Sequence, residues 1–124
     1  MSGSSSESDF TIERHGEVTL IIVSPALESL DPSLVDQAAE LMLEPLRNEA
    51  APQVVVDLTQ VDYFGSAFLA LLIRCWKLAS IKGGTMALAG VSTRARELLR
   101  LTSLDMVWPI YTDPREAFEA LSAE

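Results

Sequence analysis

The chain reads as a single α/β domain: a mixed β-sheet of about five strands carrying four helices, in the order β-β-α-β-α-β-α-β-α. Three observations point there. Val54-Val55-Val56 is β-branched throughout, too short for a helix, and ends in Asp57, as a strand buried on both faces does. A long apolar helix then opens at Ser66, and Thr85 to Ala89 supplies another short strand, which makes a β-α-β crossover with parallel strands. The pair Asp31-Pro32 recurs as Asp113-Pro114, and each is an N-cap followed by proline at the first helical position.

Taken in order, Met1 to Asp9 is rich in serine and acid and has no apolar residue after Met1. It cannot repay the entropy of ordering, so residues 1–9 are expected to be a disordered tail and residues 10–124 the folded domain. Phe10 to Ile12 and Val18 to Val23 are β-type runs separated by a segment containing Gly16, which predicts an antiparallel hairpin with His15 in its turn. A helix is expected from Asp31-Pro32, with Leu34, Val35, Ala38, Leu41 and Met42 at helical spacing, and Pro45 kinking or ending it.

Stepping 100° per residue along the helix from Ser66 places Phe68, Leu72, Cys75 and Ala79 at the centre of a core face, with Leu69, Leu71 and Trp76 beside them. The opposite arc holds Ser66, Ala70, Arg74 and Lys77, with Ala67 and Ile73 at its edges, small near its start and cationic further along. Gly83-Gly84 stops this helix, and Ser92 caps another from about Thr93 to Leu101. Met106 to Tyr111 is read as the last strand, followed by a terminal helix with Ala117, Phe118 and Leu121 on one side.

Composition excludes several functions. A net charge of −9 and a pI near 4.5 oppose contact with phosphate backbones, so nucleic acid is not an expected partner. Arg94, Arg96 and Arg100 cluster locally and read most simply as a solvated helix face, with a partner-contact stripe as the alternative. The longest apolar run ends at Arg74, far short of the roughly 20 residues a membrane span needs. The N-terminus has neither the basic start nor the apolar core of a secretory signal, and a cytoplasmic location is expected. The single cysteine, Cys75, forbids an internal disulfide and reads as a small core hydrophobe.

With one cysteine and one histidine no metal site is expected, and no cofactor. Ser66 has no histidine in plausible reach, because His15 belongs to the hairpin, so no catalytic triad forms and no catalytic residue is assigned. Asp57 at a strand end could in principle accept a phosphoryl group, yet the carboxylates and lysine that such Mg²⁺ chemistry requires are missing from the other strand ends.

The candidate site is where open α/β sheets place ligands and partners, at the carboxyl end of the Val54 strand, where Asp57, Thr59, Asp62, Gly65 and Ser66 gather. On elementary grounds the Ser66 hydroxyl caps its helix. An exposed hydroxyl there is also a switch position, since phosphate would add a charge of about −1.5 to −2 that a helix N-terminus tolerates.

The stretch Val54-Val-Val-Asp-Leu-Thr-Gln-Val-Asp-Tyr-Phe-Gly-Ser-Ala-Phe-Leu-Ala-Leu-Leu72, together with Lys82-Gly-Gly84, Leu98 to Leu104 and Asp113 to Ala117, resembles the STAS domain. That module is shared by bacterial anti-sigma factor antagonists and the cytoplasmic tails of sulfate transporters. The resemblance implies a regulatory protein-binding module whose partner is an anti-sigma factor or serine kinase protein. It also implies phosphorylation at the serine of the helix start, which falls on Ser66. Expected partner-binding residues are Glu28, Asp57, Thr59, Asp62, Gly65, Ser66, Ala67, Ala70 and Arg74. This chain departs from the usual Asp-Ser-Ser/Thr-Gly in reading Gly65-Ser66-Ala67-Phe68, and Glu28 is an approximate counterpart of the acid that the family carries after its second strand. The alternative reading is an unphosphorylated scaffold subunit of a sensory or lipid-transport complex. The oligomeric state is not specified by the sequence.

Overall fold

A computed structural model describes residues 10–122; the expected tail at residues 1–9 lies outside them. Strands β1 (Phe10–His15), β2 (Val18–Val23), β3 (Gln53–Asp57), β4 (Thr85–Ala89) and β5 (Ile110–Tyr111) form one sheet in the order β1-β2-β3-β4-β5. The β1–β2 hairpin is antiparallel and every other pair is parallel. Four α-helices alternate with the strands: α1 (Val35–Leu43), α2 (Ser66–Ile81), α3 (Thr93–Leu101) and α4 (Pro114–Ser122). This is the expected α/β architecture and element order.

Side-chain alternation along the strands builds two cores. Ile21, Val23, Val54, Val56, Met86 and Leu88 face α1, α2 and α3. Val18, Leu20, Val55 and Ala89 face the other way, where α4 covers them with Ala117, Phe118 and Leu121. Helix α2 turns Phe68, Leu71, Leu72, Cys75 and Ala79 into the larger core, all but Phe68 fully buried, so Leu71 belongs to the centre of the buried face. At its end Gly83 adopts φ +81° and Gly84 lies against Pro52, whose carbonyl oxygen would stand 1.9 Å from an added Cβ.

Four local expectations are corrected. Strand β1 runs on to His15, leaving only Gly16 and Glu17 as the turn. His15 is therefore a strand residue, bonded to Glu13 and stacked on Phe118 of α4, with ring centroids 4.8 Å apart. Asp31-Pro32 opens a short 3-10 turn, with Asp31 Oδ1 accepting from the Ser33 amide at 2.9 Å, and α1 begins only at Val35. That offset rotates Leu34 and Leu41 outward, each 47% exposed, while Ala38, Ala39, Met42 and Leu43 are buried. The last strand shortens from Met106–Tyr111 to Ile110–Tyr111, because Leu104 to Met106 winds into a 3-10 turn whose Leu104 carbonyl accepts from the amides of Val107 and Trp108. Trp108 is buried edge-on against Trp76, which anchors this segment as a plug instead of a strand.

Candidate functional site

The segment between β3 and α2 is anchored at every third residue, because Leu58, Val61 and Phe64 all enter the core. The residues between them therefore face solvent: Thr59, Gln60, Asp62 and Tyr63. Two local devices set its start. The Leu58 amide donates to the Ala89 carbonyl at 2.9 Å, and the Asp57 carboxylate accepts from both the amide and the hydroxyl of Thr59. Gly90 leaves β4 at φ +70°, so close to Thr59 that an added Cβ would sit 2.3 Å from its Oγ1.

Gly65, not Ser66, is the N-cap of α2, since its carbonyl accepts the first helical bond from Leu69 at 3.1 Å. No side chain caps this helix, so the capping role considered for the Ser66 hydroxyl is not the one it has. Ser66 is the first helical residue and is exposed. Ala67 beside it is half-buried and Ala70, one turn on, is exposed, which leaves a low surface around the serine.

Two further elements reach this segment. Glu28, in the 3-10 turn Pro25–Ser29 pinned by buried Leu27, accepts from the Asp62 amide at 2.8 Å. Ser92, the N-cap of α3, accepts from the Ala95 amide and donates to the Asp62 carbonyl. Arg94 pairs with the Asp62 carboxylate at 2.9 Å and lies over the Tyr63 ring, 4.9 Å from its centroid. Tyr63 stays 39% exposed and stacks on buried Phe64.

The structure thus brings Glu28, Asp57, Thr59, Asp62, Gly65, Ser66 and Ala67 to one end of the sheet, with Ala70 just beyond. Arg74 does not join them: it is two turns along α2 and engaged with Asp36 of α1 at 2.8 Å. Sequence reasoning missed Tyr63, Ser92 and Arg94 as neighbours of the site. Ser92 was legible only as a cap, Arg94 only as one of three arginines, and no local pattern links either to Asp62 thirty residues earlier.

Ser66 has no imidazole beside it, since His15 is held between Glu13 and Phe118 on the hairpin. Among the described residues no three His, Cys, Asp or Glu side chains group as a metal site would need. A concavity of about 580 Å³ lies at the opposite end of the sheet, lined by Glu17, Val18, Gln53, Thr85, Leu121 and Ser122. At the end bearing Ser66, Leu58, Val61 and Phe64 are buried and Ser66 is exposed. Among the described residues no helix is long and apolar enough to cross a membrane.

Comparison with known proteins agrees with this geometry. The family model described as "Mlab, STAS domain" matches residues 10–110. An anti-sigma F factor antagonist of Paenibacillus polymyxa is 26% identical over 110 residues, covering 89% of this chain and 92% of its own. The structure of an anti-sigma-factor antagonist (STAS) domain protein from Planctomyces limnophilus superposes with a TM-score of 0.82 at 33% identity, covering 92% of this chain and 98% of that one. An anti-sigma factor antagonist from Mycobacterium paratuberculosis superposes with a TM-score of 0.68 at 25% identity, covering 90% and 91%.

Proposed function

This chain belongs to the STAS domain family, and from that premise we propose that it is a noncatalytic signalling module that binds an anti-sigma factor acting also as a serine kinase, and that phosphorylation of Ser66 releases the partner. The observation that carries the reading is the exposed Ser66 at the first position of α2, on a low surface bounded by Ala67 and Ala70 and fronted by the anchored 58–65 segment. A phosphate on this hydroxyl adds about −1.5 to −2 charge at a helix N-terminus, which stabilises it there. The same charge and bulk oppose an apolar or acidic partner surface seated on Ala67 and Ala70. Glu28, Asp57 and Thr59 shape the rim, and Tyr63 offers the kind of half-exposed aromatic that dominates docking energies.

The test is to mix the purified domain with each anti-sigma factor kinase encoded in its source genome, with and without ATP. One kinase is expected to bind, to place a single phosphate on wild type and none on Ser66→Ala, and to bind Ser66→Glu at least about tenfold more weakly. Absence of phosphate together with full-strength binding of Ser66→Glu overturns the switch.

A second reading keeps the fold and drops the phosphate, making the domain a scaffold subunit of a sensory or lipid-transport assembly. It is favoured by Gly65 and by Phe68, which is 1% exposed and fills the core where the family motif has a glycine. Stable capture of a nonkinase complex that tolerates Ser66→Glu is its expected signature.

A further inference from the structure

The amide, the carbonyl and one carboxylate oxygen of Asp62 are each bonded within its own chain. Its amide donates to Glu28 Oε2 at 2.8 Å, its carbonyl accepts from Ser92 Oγ at 2.5 Å, and its carboxylate Oδ2 accepts from Arg94 Nη1 at 2.9 Å. The three partners come from two separate connections, the turn after β2 and the loop and first turn after β4. Residues 58–65 have no ladder or helix of their own, and such surface segments are ordinarily mobile. Leu58, Val61 and Phe64 hold the segment down, the Leu58 amide and Thr59 tie its start to Ala89 and Asp57, and the contacts at Asp62 tie its middle to two other connections. The same Arg94 that pairs with Asp62 covers the Tyr63 ring, so the ion pair also sets how Tyr63 is presented.

We infer that Asp62 is a positioning residue and not a partner contact: with Glu28, Ser92 and Arg94 it keeps the segment carrying Tyr63 into Ser66 in one docking conformation. The inference deepens the proposed function and rests on it for its consequence, because a partner's apparent affinity falls with the fraction of molecules in the competent conformation. The alternative is that Asp62 and Arg94 touch the partner themselves. The two differ in what a charge swap does, since exchanging the signs preserves an internal pair and ruins a direct contact.

The experiment compares wild type with Asp62→Asn, Arg94→Gln and the swap Asp62→Arg with Arg94→Asp, both side chains being more than 60% exposed, which lets all variants fold. In the free domain, amide exchange over residues 59–65 is expected to quicken roughly twofold to fivefold in each single variant, the range of an exposed ion pair, and to return toward wild type in the swap. Affinity for the kinase that binds wild type is expected to fall and return by the same factors. Unchanged exchange in both single variants overturns the inference, and so does a swap that binds no better than the weaker single variant. A wild-type domain that captures none of the kinases overturns the proposed function instead, and the exchange measurement alone then decides whether Asp62 holds the segment.

Discussion

At the scale of single residues, burial and backbone geometry make two positions diagnostic. Cys75 is fully buried among apolar neighbours, and desolvation pushes its thiol up to about 12 from an ordinary 9.0. It is therefore expected to resist an aromatic disulfide reagent in the native state and to react at once in denaturant. The pH dependence has a definite sign. The folded thiol keeps its proton where the unfolded one loses it, so the contribution is whole below about pH 9 and declines as pH rises toward 12. Comparing thermal midpoints of wild type and Cys75→Ala at pH 8 and pH 10.5 checks this, with a narrowing gap expected. Gly90 is the second such residue. At φ +70° with Thr59 Oγ1 2.3 Å from any added Cβ, Gly90→Ala is expected to cost about 1–3 kcal/mol in denaturant unfolding and to push Thr59 off Asp57.

Among the elements, helix starts were the most legible features and their exact onset the least. Ser92 caps α3 as its position before Thr93 implies, and Asp113 caps α4 by accepting from the Glu116 amide at 2.9 Å. Ser92 does more than cap, because the same hydroxyl holds the Asp62 carbonyl. Ser92→Ala is accordingly expected to lower stability by about 1–2 kcal/mol, at the upper end for a lost cap, measured by urea titration. The Asp31-Pro32 start was legible too, yet proline and the Asp31 side chain settle first into a 3-10 turn. Periodicity counted from Asp31 consequently misplaces Leu34 and Leu41, which face outward. In α2 no such offset intervenes: Phe68, Leu72, Cys75 and Ala79, read as the centre of its core face, are buried, and of the residues placed beside them Leu71 is buried while Leu69 and Trp76 are half-buried.

For the molecule as a whole, α1, α2 and α3 close one core against the sheet and α4 closes a smaller one on the other face. Leu72 is fully buried in the larger of these. Leu72→Ala is expected to destabilise by about 2–5 kcal/mol, without loss of cooperativity. Buried Trp108, packed on Trp76, makes tryptophan emission a reporter of that core, so fluorescence and far-ultraviolet dichroism should give one coincident transition. The surface around Ser66 stands at the carboxyl ends of the parallel strands, while the concavity lined by Glu17, Val18, Gln53 and Thr85 lies at their other ends.

Local chemistry alone was enough for the strands from Val18, Gln53 and Thr85, for α2 and α3, for the glycine stop at Gly83-Gly84 and for the gathering of Asp57 through Ser66 beside one strand end. Each of these depends on neighbours in sequence, through β-branching, helical spacing, caps or positive φ. The clamp on Asp62 by Glu28, Ser92 and Arg94, the diversion of Arg74 to Asp36, the stacking of His15 on Phe118 and the plug at Trp108 arise only when distant segments meet. Such contacts are chosen by which side chains the packed sheet and helices bring within hydrogen-bonding distance, a property no window of adjacent residues contains.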